Sequence, residues 1–98
     1  MASEIDDDFY LRADAHINLS NVQGRDVSWG KVSASMMYAT ARFNVWLTAK
    51  EHETGKSLDE AKEEAIVYFL NSYREMLDVH FEEYVANFED YMKPRQEQ

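Results

Sequence analysis

Apolar residues recur every three or four positions along three long stretches of the chain, a spacing typical of amphipathic helices. Gly24 and Gly55 separate the stretches, and Pro94 follows the last one. Ser3 and Ser57 each precede an acidic residue three positions later, which is the pattern of a helix N-cap. The sequence therefore predicts helices over about residues 4–22, 34–53 and 58–92.

The three predicted helices differ in how much of their surface is apolar. The third has an apolar side and an acidic side, and His80 falls on the apolar side, where we expect it to pack in the core. The second is apolar over most of its circumference, so we expect it to lie in the middle of the molecule. The pattern predicts an all-α fold, a three-helix bundle with a long amphipathic C-terminal helix.

Composition narrows the class of protein. A chain of 98 residues with 45% hydrophobic side chains suits one core, so residues 1–98 are predicted to form a single helical domain. Cysteine is absent, which excludes disulfides and thiolate chemistry. The net charge of -9 opposes binding to nucleic acid or to an anionic membrane. The acidic N-terminus does not resemble a signal peptide, and no apolar run is long enough to span a membrane, so we expect a cytoplasmic protein.

Residues 9–23, FYLRADAHINLSNVQ, hold the densest group of polar side chains. Arg12 and Asp14 lie about 160° apart around a helix and cannot act at one point. Arg12 is four residues from both Asp8 and His16, a spacing that predicts surface pairing. We interpret this stretch mainly as salt bridges and helix-end hydrogen bonds.

Arg42 is the sharpest anomaly, because it lies within the apolar arc of the second predicted helix. A buried guanidinium without a partner costs several kcal/mol, so Arg42 is predicted to pair with a carboxylate or to reach solvent. Asp14 is the best candidate partner, and Asn21 or Asn18 could accept hydrogen bonds from the remaining guanidinium donors. Two readings stay open: an interhelical salt bridge, or a pocket in which Arg42, Asp14 and Asn21 bind a small polar or anionic ligand.

Known catalytic and metal-binding patterns are missing. The three histidines fall on different predicted helices, and no Glu-x-x-His pair is present, so no metal or other cofactor is expected. No Gly-x-Ser-x-Gly turn or phosphate-binding loop occurs either. The sequence predicts a protein that is not an enzyme.

The last third of the third predicted helix extends about four turns past the other two and remains apolar. Two arrangements would cover it: a break near residues 78–82 that folds the tail back as a fourth helix, or pairing with a second chain as a homodimer. No glycine or proline marks a hinge at 78–82, which favours the dimer. The predicted interface residues are Phe81, Tyr84, Val85, Phe88, Tyr91 and Met92.

Trp29 lies in GRDVSWGKVS, which the pattern places in a loop between the first two helices. We expect its indole to fold back as a lid over the ends of the first and third helices. The alternative is an exposed contact for a partner.

The segments FYLRAD, INLSNVQ and VSASMMYATARFNVW, followed by YFLNSYREML, resemble a small bacterial family of domains of unknown function of about this length. The resemblance spans roughly residues 6–80 and rests on an F-x-x-R-A-D, an L-[AS]-N-x-Q and an A-R-F-N motif. On this chain the motif positions are Phe9, Arg12, Asp14, Leu19, Asn21, Gln23, Arg42, Phe43 and Asn44. The chain has Ser20 where alanine is usual in the family and His16 where an aromatic residue is expected. The resemblance implies a helical bacterial protein and supplies no activity, cofactor or assigned site.

Three functions are consistent with these observations. The first is a noncatalytic helical module that binds another protein or forms a homo-oligomer. The second is a protein that binds a small polar or anionic ligand beside Arg42. The third is an acidic mimic of nucleic acid that occupies a basic partner protein.

Overall fold

The computed structural model describes residues 4–94, and the predicted N-cap Ser3 lies outside them. Five helices form in this range, which confirms the all-α prediction for the described residues; a three-helix bundle is not confirmed. The helices are α1 (Phe9–Gln23), α2 (Trp29–Ala49), α3 (Gly55–Glu60), α4 (Lys62–Ala86) and α5 (Phe88–Tyr91).

The chain divides into two compact units, Met1–Leu47 and Thr48–Gln98. The first contains α1 and most of α2, and the second contains the end of α2 with α3, α4 and α5. Val32, in the first turn of α2, is the one buried hydrophobic residue among residues 4–94. Most large apolar side chains of α2 are exposed, so the predicted place of this helix in a core is not confirmed. A single domain over residues 1–98 stays a prediction.

Helix α1 begins at Phe9, five residues later than predicted, because the preceding aspartates form a turn. The backbone N–H of Phe9 donates to the carbonyl of Asp6 at 3.1 Å, which closes that turn. Asp8 occupies the N-cap position. The run of three aspartates therefore precedes the helix, where negative charge favours its N-terminus.

Helix α2 begins at Trp29 rather than near residue 34, because Ser28 provides an N-cap. Its Oγ accepts a hydrogen bond from the backbone N–H of Lys31 at 3.3 Å. The loop between α1 and α2 is therefore shorter than predicted, residues 24–28, since the cap stabilises the first turn of α2 despite Gly30 within it. Trp29 is consequently the first helical residue of α2 and not part of the loop.

Helix α2 ends at Ala49, and Gly55 begins α3 instead of ending the second helix. Thr54 is the N-cap of α3, with extended backbone angles, and its hydroxyl accepts from the N–H of Ser57 at 3.0 Å. The predicted cap at Ser57 is therefore displaced by three residues. The local reason is that a threonine hydroxyl reaches the N–H three positions on as well as a serine hydroxyl does.

The predicted third helix is interrupted twice, at Ala61 and at Asn87. The Asn87 side chain donates to the Glu83 carbonyl at 2.9 Å, a local bond that competes with the helical ladder. Helix α4 runs without a break through residues 78–82, so the proposed hinge there is wrong. His80 lies on this continuous part and is exposed, in contrast to its predicted place in a core.

Candidate functional site

Arg12 forms its ion pair with Asp6; within residues 4–94 no such contact joins it to the predicted partners Asp8 or His16, although the charge of Asp8 also attracts Arg12. Its Nη2 lies 2.7 Å from Asp6 Oδ1, and its Nη1 lies 3.3 Å from Oδ2, so the guanidinium donates to both carboxylate oxygens. The prediction assumed that Asp6 and Arg12 share a helix, six residues apart. The turn before Phe9 instead brings the Asp6 carboxylate back onto α1.

This contact shifts the ionisation of both groups. The hydrogen bond from Arg12, aided by the attraction between the opposite charges, lowers the pKa of Asp6 below its usual value. The same hydrogen bond raises the pKa of Arg12. Both side chains are solvent-exposed, so the pair orders the start of α1 without burying a charge.

The three residues of the predicted ligand site lie on separate parts of the first unit. Asp14 is exposed in the middle of α1, and Asn21 is half-buried near its C-terminal end. Arg42 is exposed on α2, and no ion pair joins it to Asp14 in the described part of the chain. The structure therefore does not bring Arg42 and Asp14 together. Because Arg42 is exposed, it needs no buried counter-charge.

Arg42 is surrounded on α2 by large apolar side chains that are themselves exposed. We define the α2 face as Tyr38, Arg42, Val45 and Trp46, which follow one another at spacings of four, three and one residues. Tyr38 is 72% exposed, and the Trp46 ring lies 5.4 Å from that of Phe43. Helical spacing predicts that these residues and Ala49 share one side of α2 with Arg42, and the side chains of Tyr38, Val45 and Trp46 are exposed in the structure.

The predicted interface residues of the C-terminal third also share an exposed surface. We define the C-terminal stripe as Phe81, Tyr84, Val85, Phe88, Tyr91 and Met92. Their exposure ranges from 44% for Tyr91 to 76% for Val85. The rings of Tyr84 and Tyr91 meet edge to face at 4.8 Å across the interruption at Asn87, so the stripe continues from α4 onto α5.

A polar cluster that the sequence pattern did not indicate lies between α2 and α3. Ser57 Oγ and His52 Nδ1 share a short hydrogen bond at the edge of an open cleft of about 540 Å³. Lys50, Glu51, Glu53 and Thr54 complete the lining. The available signal was the Thr54 cap, which turns the chain so that Ser57 faces back toward His52.

This cluster contains two of the three groups of a serine–histidine–aspartate catalytic triad, the serine and the histidine. A serine hydroxyl contacts an imidazole, but no hydrogen bond orients Nε2 of His52 in the described structure, as a third group would in a catalytic triad. Residues 4–94 contain no group of three or more histidine, aspartate or glutamate side chains placed to bind a metal ion. None of the described helices combines the length and hydrophobicity that crossing a membrane requires.

Comparisons with known proteins give a family and no activity. A protein from Shewanella sp., NB7890A, has an NMR structure that is similar with a TM-score of 0.76 and 36% sequence identity. The match covers 95% of this chain and 99% of the Shewanella chain. No curated protein matches this chain. The family model for DUF3144, described as a protein of unknown function, matches residues 9–85, so the chain belongs to the DUF3144 family.

Proposed function

We propose that this protein is a noncatalytic helical interaction module that forms a homodimer through its C-terminal stripe. The exposure of all six stripe residues carries the proposal. Burying a large apolar side chain is worth about 1.5 to 3 kcal/mol, and an exposed row of six such side chains is a common feature of binding surfaces.

The area of the stripe supports the same proposal. With about 150 to 250 Å² available per aromatic side chain, six side chains at these exposures present roughly 600 Å² to solvent. A stable interface buries about 800 Å² on each partner. The stripe therefore provides most of the area that one side of a dimer interface needs.

Light scattering on the full chain and two glutamate variants tests the proposal. Val85→Glu places a charge in the stripe, and Val79→Glu is its matched control on the same helix, about 160° from Phe81. We expect a mass of twice 11.5 kDa for the unmodified chain and for Val79→Glu, and a monomer for Val85→Glu. A monomeric unmodified chain, or equal loss of the dimer in both variants, would contradict the proposal.

A further inference from the structure

Helix α2 has a second exposed apolar surface, which is not part of the C-terminal stripe. In the α2 face, Tyr38, Val45 and Trp46 surround Arg42 and are 72%, 59% and 53% exposed. The unit that contains them therefore leaves this face uncovered. Tyrosine, tryptophan and arginine are the residues that contribute most to protein–protein binding, so this composition is typical of the centre of an interface.

Arg42 specifies the chemistry of the surface that could cover the α2 face. A guanidinium that becomes buried among aromatic rings requires a carboxylate, because an unpaired buried charge costs several kcal/mol. The covering surface must therefore be apolar with an acidic residue at its edge.

The C-terminal stripe has this combination of residues. At about 100° per residue, Asp78 and Glu82 lie 60° and 100° around α4 from Phe81 and form an acidic border along one edge of the stripe. Asp78 already has a cation nearby, since its Oδ2 lies 3.7 Å from Nε of Arg74. Glu82 is the other acidic residue of this border on the continuous helix α4, so we take it as the one that meets a cation from another chain.

We propose that the α2 face of one copy binds the C-terminal stripe of a second copy, with Arg42 placed against Glu82. This inference rests on the proposed homodimer. A two-fold axis repeats the contact, so each chain contributes one α2 face and one stripe. The α2 face adds roughly 400 Å² to the roughly 600 Å² of the stripe, which exceeds the area of about 800 Å² per partner in a stable interface.

Electrostatic interactions favour this dimer interface over one in which two C-terminal stripes pair in antiparallel orientation. In such a pairing the same edges of the two helices face each other, as in a coiled coil. The acidic border of one stripe would then oppose the acidic border of the other, which is unfavourable. Pairing with the α2 face replaces this repulsion with the attraction between Arg42 and Glu82.

Crosslinking between two differently labelled chains tests the contact, because the natural sequence has no cysteine. A tagged Val45→Cys chain is mixed with an untagged Val85→Cys chain, allowed to exchange, and treated with a short bismaleimide. We expect the untagged chain to be captured covalently with the tagged one. Val79→Cys in place of Val85→Cys is the matched control, and we expect it to lose the crosslink.

The outcomes distinguish the two proposals. A monomeric unmodified chain overturns the dimer and this contact together. A dimer in which Val85→Cys links to itself and not to Val45→Cys leaves the dimer standing and overturns the contact. A link between Val45→Cys and Val85→Cys within one doubly substituted monomer, with none between mixed chains, also overturns it.

Charge reversal gives an independent readout in the full chain. Arg42→Glu is expected to raise the dimer dissociation constant at least about tenfold, because it opposes Glu82 with a like charge. Adding Glu82→Arg in the same chain is expected to recover most of this loss. Glu83→Arg, one residue away and on the other side of α4, is the matched control and is expected to recover none. Equal recovery by both changes would contradict a specific contact.

Discussion

The six-membered ring of Trp29 lies directly against the backbone of Gly24. A Cβ placed on Gly24 would overlap this ring, whereas Gly24 itself has ordinary right-handed helical angles, with φ of -66°. Glycine is therefore required here for the missing side chain and not for an unusual backbone conformation. The contact joins the end of α1 to the start of α2, and Trp29 stays 58% exposed while making it.

This relationship predicts opposite effects at two glycines. Gly24→Ala is expected to displace the Trp29 ring and lower the free energy of unfolding by about 1 to 3 kcal/mol, the usual cost of overpacking. Gly30→Ala is the matched control, since a Cβ there meets nothing within 4 Å, and is expected to raise the free energy of unfolding by about 0.4 to 1 kcal/mol. Urea unfolding measures both, and tryptophan emission in a Trp46→Phe background reports the displacement of Trp29. Equal effects of the two substitutions would contradict the contact.

The cap of α3 predicts that Thr54→Ala lowers the free energy of unfolding by about 0.5 to 2 kcal/mol, because the N–H of Ser57 loses its acceptor. Thr54→Ser preserves the hydroxyl and is expected to change stability by much less. Amide hydrogen exchange at residues 55–58 locates the effect. Unchanged exchange at these amides in Thr54→Ala would show that the hydroxyl does not cap the helix.

The contact between Asp6 and Arg12 predicts a dependence on pH. Because the pKa of Asp6 is lowered in the folded chain, the pair contributes stability above the unfolded value of about 3.9 and loses it as the pH falls through the folded pKa. An NMR titration of the Asp6 carboxyl carbon is expected to show this lowered pKa. Arg12→Gln should return the pKa to the ordinary range, and an unchanged titration in this variant would exclude Arg12 as the cause.

Arg42 and Asp14 are predicted to act independently, because no ion pair joins them and both are exposed. In a double-mutant cycle, the effects of Arg42→Ala and Asp14→Ala on the free energy of unfolding should add within about 0.3 to 0.5 kcal/mol. The cycle is measured at a protein concentration where the oligomeric state of all four chains is the same. A coupling of several kcal/mol would instead support the salt bridge between the two helices.

The sequence by itself determined the helical class, the family and the approximate position of most helices. The apolar spacing of three and four residues is a local property of the chain, so it predicted a helix over most of α1, α2 and α4. The motif around Arg12 and Arg42 indicated the family whose model matches residues 9–85. Boundaries were less accurate because Ser28 and Thr54 competed with nearby residues as caps, and local pattern alone does not choose between them.

Only the tertiary structure decided which side chains meet and which remain in solvent. Arg12 binds Asp6 because the turn before α1 doubles back, a geometry that helical spacing does not encode. Trp29 packs on Gly24 because Ser28 caps α2 and makes Trp29 the first residue of this helix. The apolar residues beside Arg42 were predicted to be buried, yet periodicity reports only that they share a face. Burial depends on what lies opposite that face, and the unit that contains the α2 face leaves its side chains exposed.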